Sequence, residues 1–308
     1  MRSTHFAIVG LLTGCIVALH GQVPVFRTET RLVVLQATVT NRHGELVTNL
    51  DQPAFTVFEN GKPQPITLFR RDDVPVSIGL VIDSSGSMRN LRPKVEAAAL
   101  SFARASNPDD ELFVLNFADT SHLDVPMTSK VRDLEAGIAR VDSIGGTALC
   151  DALKTAGEYL RDHAHWDRRV LLAISDGNDN SSATSVGEIQ QQAERSQMVI
   201  DAIGLASLRD AKASTGRHEL TELTAPTGGV AYFPAGVEQI ESVAADLAQQ
   251  IRRQYTIAYA PLNQTFDGSY RSIRVTVSGP DRLTVRTRTG YRAVPGTPDA
   301  NESAPNHD

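Results

Sequence analysis

Cysteine is scarce in this chain. Its 308 residues hold only Cys15 and Cys150. Cys15 falls in an N-terminal segment that reads as an export signal, so removal of that segment leaves no pair to bridge, even in an oxidising compartment. Cys150 follows Thr147-Ala148-Leu149 in an apolar stripe and reads as a buried thiol rather than a reactive one. Positive charge is not in excess either. Thirty Lys and Arg face 36 Asp and Glu, a net charge of -6, and no aromatic-basic interleaving rescues a nucleic-acid surface. Gly-x-Ser-x-Gly and Gly-x-Gly-x-x-Gly are absent, which argues against a serine-hydrolase loop and a dinucleotide loop. His163, His165 and His218 have no zinc-ligand spacing.

Long apolar runs are lacking as well. The run 6–19, behind Arg2 and His5, fits the core of a signal peptide and is shorter than the roughly 20 residues of a spanning helix. Cleavage after Gly21 is one reading. The lipobox-like Leu12-Thr13-Gly14-Cys15, which would leave a lipidated Cys15, is another, and an uncleaved anchor is a third. Membrane contact is expected only through such an anchor. The predicted location is the periplasm, the cell envelope or the medium.

What is present is globular in composition: 41% hydrophobic and 21% charged residues. From 31 to 69 the period is two, with Leu35, Ala37 and Val39 alternating with Gln36, Thr38 and Thr40. Asn60-Gly61 predicts a hairpin turn between strands 55–59 and 66–69. From 76 to 253 strands alternate with helices. Strands are expected at 76–82, 112–117, 170–175, 199–204 and 230–233, with a short edge strand at 122–125. Helices are expected at 92–105, 130–141, 148–163, 186–196, 219–224 and 238–252. Continuous apolar strands alternating with helices imply an α/β fold with a doubly wound, Rossmann-like, mostly parallel sheet covered on both faces. From 255 to 292 the β period returns. Ile273, Val275 and Val277 share one face, and Arg274, Arg286 and Arg288 read as a solvated face.

Neither β flank is large enough for a core of its own. The two are therefore expected to pair into one small β-sandwich with the α/β domain inserted between them. The predicted organisation is a signal peptide at 1–21, a β segment at 22–74, the α/β domain at 75–253, a second β segment at 254–293 and a disordered tail at 294–308.

Oxygen-bearing residues fall at three separated points. Asp83, Ser85 and Ser87 form Asp-Ser-Ser-Gly-Ser at the end of the first α/β strand. Thr147 follows Gly145-Gly146 just before a helix. Asp176 lies in Ser175-Asp176-Gly177 at the end of another strand. In open α/β sheets, ligand sites lie beyond the carboxyl ends of the strands. Two carboxylates and three hydroxyls, with no Cys or His, suit a small hard cation. Asp-x-Ser-x-Ser alone also suits a polar turn with an N-cap serine. Asp151 reads as a helix-dipole carboxylate and Asp179 as a solvated loop charge.

These motifs resemble the metal-ion-dependent adhesion site of the von Willebrand factor type A family, over roughly residues 75 to 253. The segment Phe55-Thr56-Val57-Phe58-Glu59-Asn60-Gly61-Lys62-Pro63-Gln64 and the ending Gly290-Tyr291 are similar to a bacterial, acidobacterial-type group of secreted VWFA-related proteins. The resemblance implies that Ser85, Ser87 and Thr147 contact the ion most directly, and that Asp83 and Asp176 do so directly or through water. It also implies Mg2+ as the ion, with Mn2+ or Ca2+ as alternatives. The implied partner is a protein whose Asp or Glu completes the shell, in a non-enzymatic binding role. Two other functions stay open: an envelope scaffold in which the cation only stabilises loops, and a hydrolase using a loop serine.

Overall fold

The computed structural model describes residues 32–71, 73–138, 145–205, 211–279 and 282–294. The expected signal peptide, Cys15 and the tail from 295 lie outside the described residues. In chain order the first strands are β1 (Val33–Thr40), β2 (Phe55–Glu59), β3 (Lys62–Gln64) and β4 (Ile66–Arg70). The α/β region follows as β5 (Ser77–Asp83), α1 (Arg92–Ala105), β6 (Glu111–Phe117), β7 (Ser121–Thr128), α2 (Val131–Ile138) and α3 (Leu149–His163). It continues as β8 (Arg169–Ser175), α4 (Val186–Ser196), β9 (Met198–Gly204), α5 (Ala211–Thr224), β10 (Ala231–Tyr232) and α6 (Ile240–Arg252). The chain then forms β11 (Tyr255–Tyr259), β12 (Tyr270–Val277), β13 (Thr284–Arg286) and β14 (Gly290–Arg292).

The central sheet has the order β10-β9-β8-β5-β6-β7, parallel except for β7 at one edge. Every residue of β5, β6 and β9 is buried. That explains their largely apolar character: a sheet covered on both faces has no solvated side to mark with alternating polar residues. Alternate side chains of β5 serve opposite cores. Ile78, Leu80 and Ile82 pack with Val95 and Phe102 of α1 and Leu247 and Ile251 of α6. Val81 packs with Leu149, Leu153 and Leu160 of α3. Each such fully buried side chain contributes roughly 1.5–3 kcal/mol.

The chain moves from β5 to β6 on one side, then returns through α3 to β8 on the other side of β5. The winding therefore reverses between β5 and β8, which places a crevice beyond their carboxyl ends. Asp83 ends β5, and Asp176 follows the last residue of β8.

The flanks form two four-stranded antiparallel sheets, β13-β1-β11-β4 and β14-β12-β2-β3. Each sheet takes strands from both ends of the described chain. Leu35, Ala37, Tyr255 and Ile257 face Phe55, Val57, Ile273 and Val275 in one core. The rings of Phe55 and Tyr255 lie 4.8 Å apart. The α/β region leaves β4 and returns into β11, and these two strands are hydrogen-bonded neighbours.

Several expectations need correction. Asn60-Gly61 does turn the chain, with φ of 48° and 77°, but the hairpin joins β2 to the short β3. The chain then crosses at Pro65, so β4 joins the other sheet. Helix α5 begins at Ala211 rather than at 219. Its extra turns carry no apolar period to betray them. Arg286 and Arg288 are not a solvated face: they donate to the carbonyls of Gly228 and Val34. Arg274 is exposed, as expected of a solvated face, and lies over the Phe58 ring.

Candidate metal centre

Asp83 is fully buried at the end of an apolar strand. Such a carboxylate must find donors or lose its charge. It finds two: Oδ1 accepts from Ser85 N at 2.8 Å and Oδ2 from Ser175 Oγ at 2.6 Å. Burial still dominates and pushes Asp83 up to about 6, with the bonds from Ser175 and Ser85 opposing and the neighbouring Asp176 adding to the rise.

After Asp83 the chain stays extended at Ser85 (φ -64°, ψ 166°) and then enters a 3-10 turn at Gly86–Leu91. Ser85 occupies the N-cap position, yet its side chain makes no capping bond. Its Oγ instead lies 3.0 Å from Ser87 Oγ. Ser87 in turn hydrogen-bonds Asp176. The serine hydroxyls are thus engaged with each other and with a carboxylate rather than with an imidazole base. Asp176 is raised in the same direction as Asp83, again chiefly by burial. Its Oδ1 is buried and has no hydrogen-bond partner among the described residues. An orphaned carboxylate oxygen of this kind carries a desolvation penalty of about 1–3 kcal/mol or more.

Thr147 arrives from a third loop and is 3% exposed. Gly145 sits at φ 101°, where a glycine is favoured. Its carbonyl accepts from Gly86 N at 3.1 Å, which joins the Thr147 loop to the serine loop. Thr147 N donates to Asn180 Oδ1 at 3.1 Å, and its carbonyl accepts from Asn180 N and Ser181 N at 3.0 and 3.2 Å. The loop after Asp176 also closes the start of α3. Asp179 Oδ2 accepts from Cys150 N at 2.8 Å and Ser182 Oγ from Asp151 N at 3.1 Å. Helix amides that lack intrahelical partners are satisfied in this way.

Asp83, Ser85, Ser87 and Asp176 therefore form one hydrogen-bonded cluster, and backbone bonds hold Thr147 beside it. Five oxygen-bearing side chains and one orphaned carboxylate oxygen fit a hard divalent cation in donor type. Several contributors were not anticipated as parts of the site. Ser175 clamps Asp83. Asp119 Oδ1 accepts from Gly146 N at 2.8 Å. Arg92 is buried and donates to Ser84 Oγ at 2.6 Å and to the Ile138 carbonyl at 2.9 Å. Gly216 of α5 lets the helix approach the site, since a Cβ there would meet the Asp176 carbonyl at 2.3 Å. Ser175 belongs to the Ser175-Asp176-Gly177 motif, whereas Asp119, Arg92 and Gly216 come from other loops and helices and have no local sequence signal.

Asp179 is not a solvated charge. It is half-buried and also accepts from Ser182 N at 3.0 Å. Asp151 accepts from Ala183 N and Thr184 N at 3.0 and 2.9 Å, a second tie between α3 and the same loop. Cys150 is buried as expected, and burial with Asp179 beside it pushes its thiol well above the usual range. Ligand atoms of Cys150, Asp179 and Glu219 lie within 4.8 Å of one another. Asp179 and Glu219 are committed there to backbone amides.

Among the described residues, no helix is long and apolar enough to cross a membrane. No curated protein matches the sequence. Among solved structures, a von Willebrand factor type A protein from Catenulispora acidiphila is 12% identical with a TM-score of 0.52, over 87% of this chain and 75% of that one. Proximal thread matrix protein 1 from the mussel byssus is 18% identical with a TM-score of 0.51, over 63% of this chain and 51% of that one. A second structure of the mussel protein, described as having a zinc-occupied MIDAS motif, is 20% identical with a TM-score of 0.50, over 63% of this chain and 50% of that one. This chain thus spans about half the length of the mussel protein. These likenesses concern the fold. Residues 78–178, which include all five candidate site residues, match the von Willebrand factor type A domain family.

Proposed function

We propose that this chain is an exported, metal-dependent protein-binding module. Asp83, Ser85, Ser87, Thr147 and Asp176 hold one divalent cation, Mg2+ first and Mn2+ or Ca2+ as alternatives, and an Asp or Glu of a partner protein completes its shell. The observation that carries the reading is Asp176 Oδ1, a buried carboxylate oxygen without a partner beside two paired serine hydroxyls. A cation would satisfy that oxygen and offset the proximity of Asp83. When bound, it supplies a directional charge that a partner carboxylate can ligate. The chain's own residues do the rest. Ser175 and Ser85 N hold the Asp83 carboxylate, and Asn180 and Asp119 fix the loop of Thr147. Two carboxylates balance a divalent charge without exceeding it, so an incoming anion is still attracted.

The family match supports the binding role, since von Willebrand factor type A domains generally mediate protein-protein interaction. The mussel structure with a zinc-occupied MIDAS motif supports metal occupancy in a similar fold. Export rests on the N-terminal segment. A calorimetric titration of MgCl2 into metal-stripped residues 22–308, beside Asp83→Ala, tests the site. Saturable binding in the parent and none in a folded variant is the expected result. A pull-down with magnesium and with chelator then tests the partner. Metal binding without any metal-dependent partner would favour the scaffold role instead.

A further inference from the structure

A cleft lies at the other end of the central sheet. With a volume of about 1150 Å³, it separates the amino ends of β8 and β9 and the last turns of α4 from the outer face of the sheet containing β1, β11 and β4. Arg169 begins β8 at this end, whereas Asp176 follows its carboxyl end. At about 3.3 Å per residue, the two ends are roughly 20 Å apart. The cleft is therefore separate from the candidate metal centre.

Its lining is unlike the rest of the molecule. Arg70, Arg168, Arg169, Arg195, Arg288 and Arg292 line it, against the carboxylates Asp167 and Glu194, in a chain that is net acidic. Arg168 serves the packing of the layers, being buried and donating to the Ile251 carbonyl and to Gln254 Oε1. Arg288 donates to the Val34 carbonyl at 2.8 Å. Arg70, Arg169, Arg195 and Arg292 form no ion pair with a carboxylate among the described residues. Arg169 Nε is buried without a hydrogen-bond partner among the described residues. Arg169 and Arg195 also line an adjoining cavity of about 550 Å³.

Guanidiniums stay charged at all ordinary pH values. Here six arginines line the cleft against two carboxylates, with Glu158 and Glu188 in the adjoining cavity. The planar guanidinium fork is matched by carboxylate and phosphate groups, which accept two parallel bonds. The walls also carry apolar surface from Val34, Leu68 and Met198, and the half-exposed Trp166 stands among the lining residues. Clefts between layers, mostly apolar with a few convergent polar groups, are the usual setting of small-molecule sites.

We propose that this cleft binds a small organic anion bearing a carboxylate or phosphate group, held by Arg70, Arg169, Arg195 and Arg292. The site needs no metal and does not depend on the adhesion reading.

Glycerol 3-phosphate and glucuronate serve as probes, with glycerol and glucose as their neutral counterparts. Calorimetry and thermal melts are run on residues 22–308 in chelator at fixed ionic strength. Saturable binding and a raised Tm are expected with at least one anion and with neither neutral compound. A response to one anion alone identifies phosphate or carboxylate as the preferred group. Affinity should fall about tenfold or more in Arg169→Gln/Arg195→Gln, the scale of one lost charge-assisted contact, and should persist in Asp83→Ala. If the double variant does not melt cooperatively, the exposed Arg70→Gln and Arg292→Gln carry the same test. Absence of saturable binding by either anion, or unchanged affinity in the folded arginine variants, overturns the proposal.

Discussion

Ser175 Oγ donates to Asp83 Oδ2 at 2.6 Å, from the last residue of β8 to the last residue of β5. The same Ser175 Oγ accepts from Gly177 N at 3.0 Å. One buried hydroxyl thus orients a carboxylate on one strand and the turn that carries Asp176 on the next. Ser175→Ala should lower stability by about 2 kcal/mol, because it leaves buried groups unsatisfied. It should also weaken magnesium binding by roughly tenfold or more, as expected when a partner of a ligand is lost. Urea unfolding and calorimetry read the two effects. An unchanged magnesium affinity would remove Ser175 from the site.

Burial raises Asp201 to about 6 from an ordinary 3.8, and the nearby Arg286 and the bond from Val230 N only partly oppose the rise. Between these values the folded chain keeps a proton that the unfolded chain releases. The residue's contribution to stability therefore falls as pH climbs from about 4 to 6 and is level above that. Asp201→Asn keeps an acceptor for Val230 N and removes the titration. Its stability relative to the parent should be about 2 kcal/mol more favourable at pH 7 than at pH 4. Melts at both pH values check this. An equal difference at the two would contradict it.

Glu59 from the first β flank and Arg271 from the second are buried, with Arg271 Nη1 donating to Glu59 Oε1 at 3.3 Å. Tyr259 and Tyr291 donate to Glu59 Oε2 at 2.8 and 2.9 Å. Both phenols are held above their ordinary range, Tyr291 at about 12, first by burial and then by the Glu59 carboxylate. Glu59→Gln leaves the guanidinium without its counter-charge and should destabilise by about 3–5 kcal/mol. Denaturant unfolding measures it. A loss below about 1 kcal/mol would mean that water reaches the pair.

The α/β region has cores on both faces built from its own helices, which motivates treating residues 75–253 as a domain inserted into the sandwich. Expressed alone, that segment should unfold cooperatively. Its Tm should be lower, because Gly228 O loses Arg286 and Pro226 O loses Thr289 N. Residues 22–74 alone should remain unfolded, since β1 and β2 each pair with a strand from the other flank. A folded isolated flank would contradict this organisation.

The sequence was most informative where burial forces a period. Leu35, Ala37 and Val39 announced the inner face of β1, and the unbroken apolar runs of β5 and β8 announced a sheet covered on both sides. Asp83 and Asp176 were legible because carboxylates after such runs must lie at strand ends. Helix α5 was half missed, because its first turns pack through Gly216 rather than through an apolar stripe. The partial burial of Arg286 and Arg288 is not legible for a related reason. Alternation assigns a side chain to a face, and only the assembled molecule shows whether that face meets water or another layer.

By itself, then, the sequence determined the α/β alternation, the β flanks and the positions of five oxygen-bearing residues at three separated points, two of them strand ends. Those properties follow from local hydrophobic period and turn chemistry. Tertiary structure alone decided that Ser175 clamps Asp83, that Asp176 Oδ1 is left without a partner, and that arginines from several elements line one cleft. Contacts such as Glu59 with Arg271, 212 residues apart, depend on how layers stack, and no local pattern encodes that.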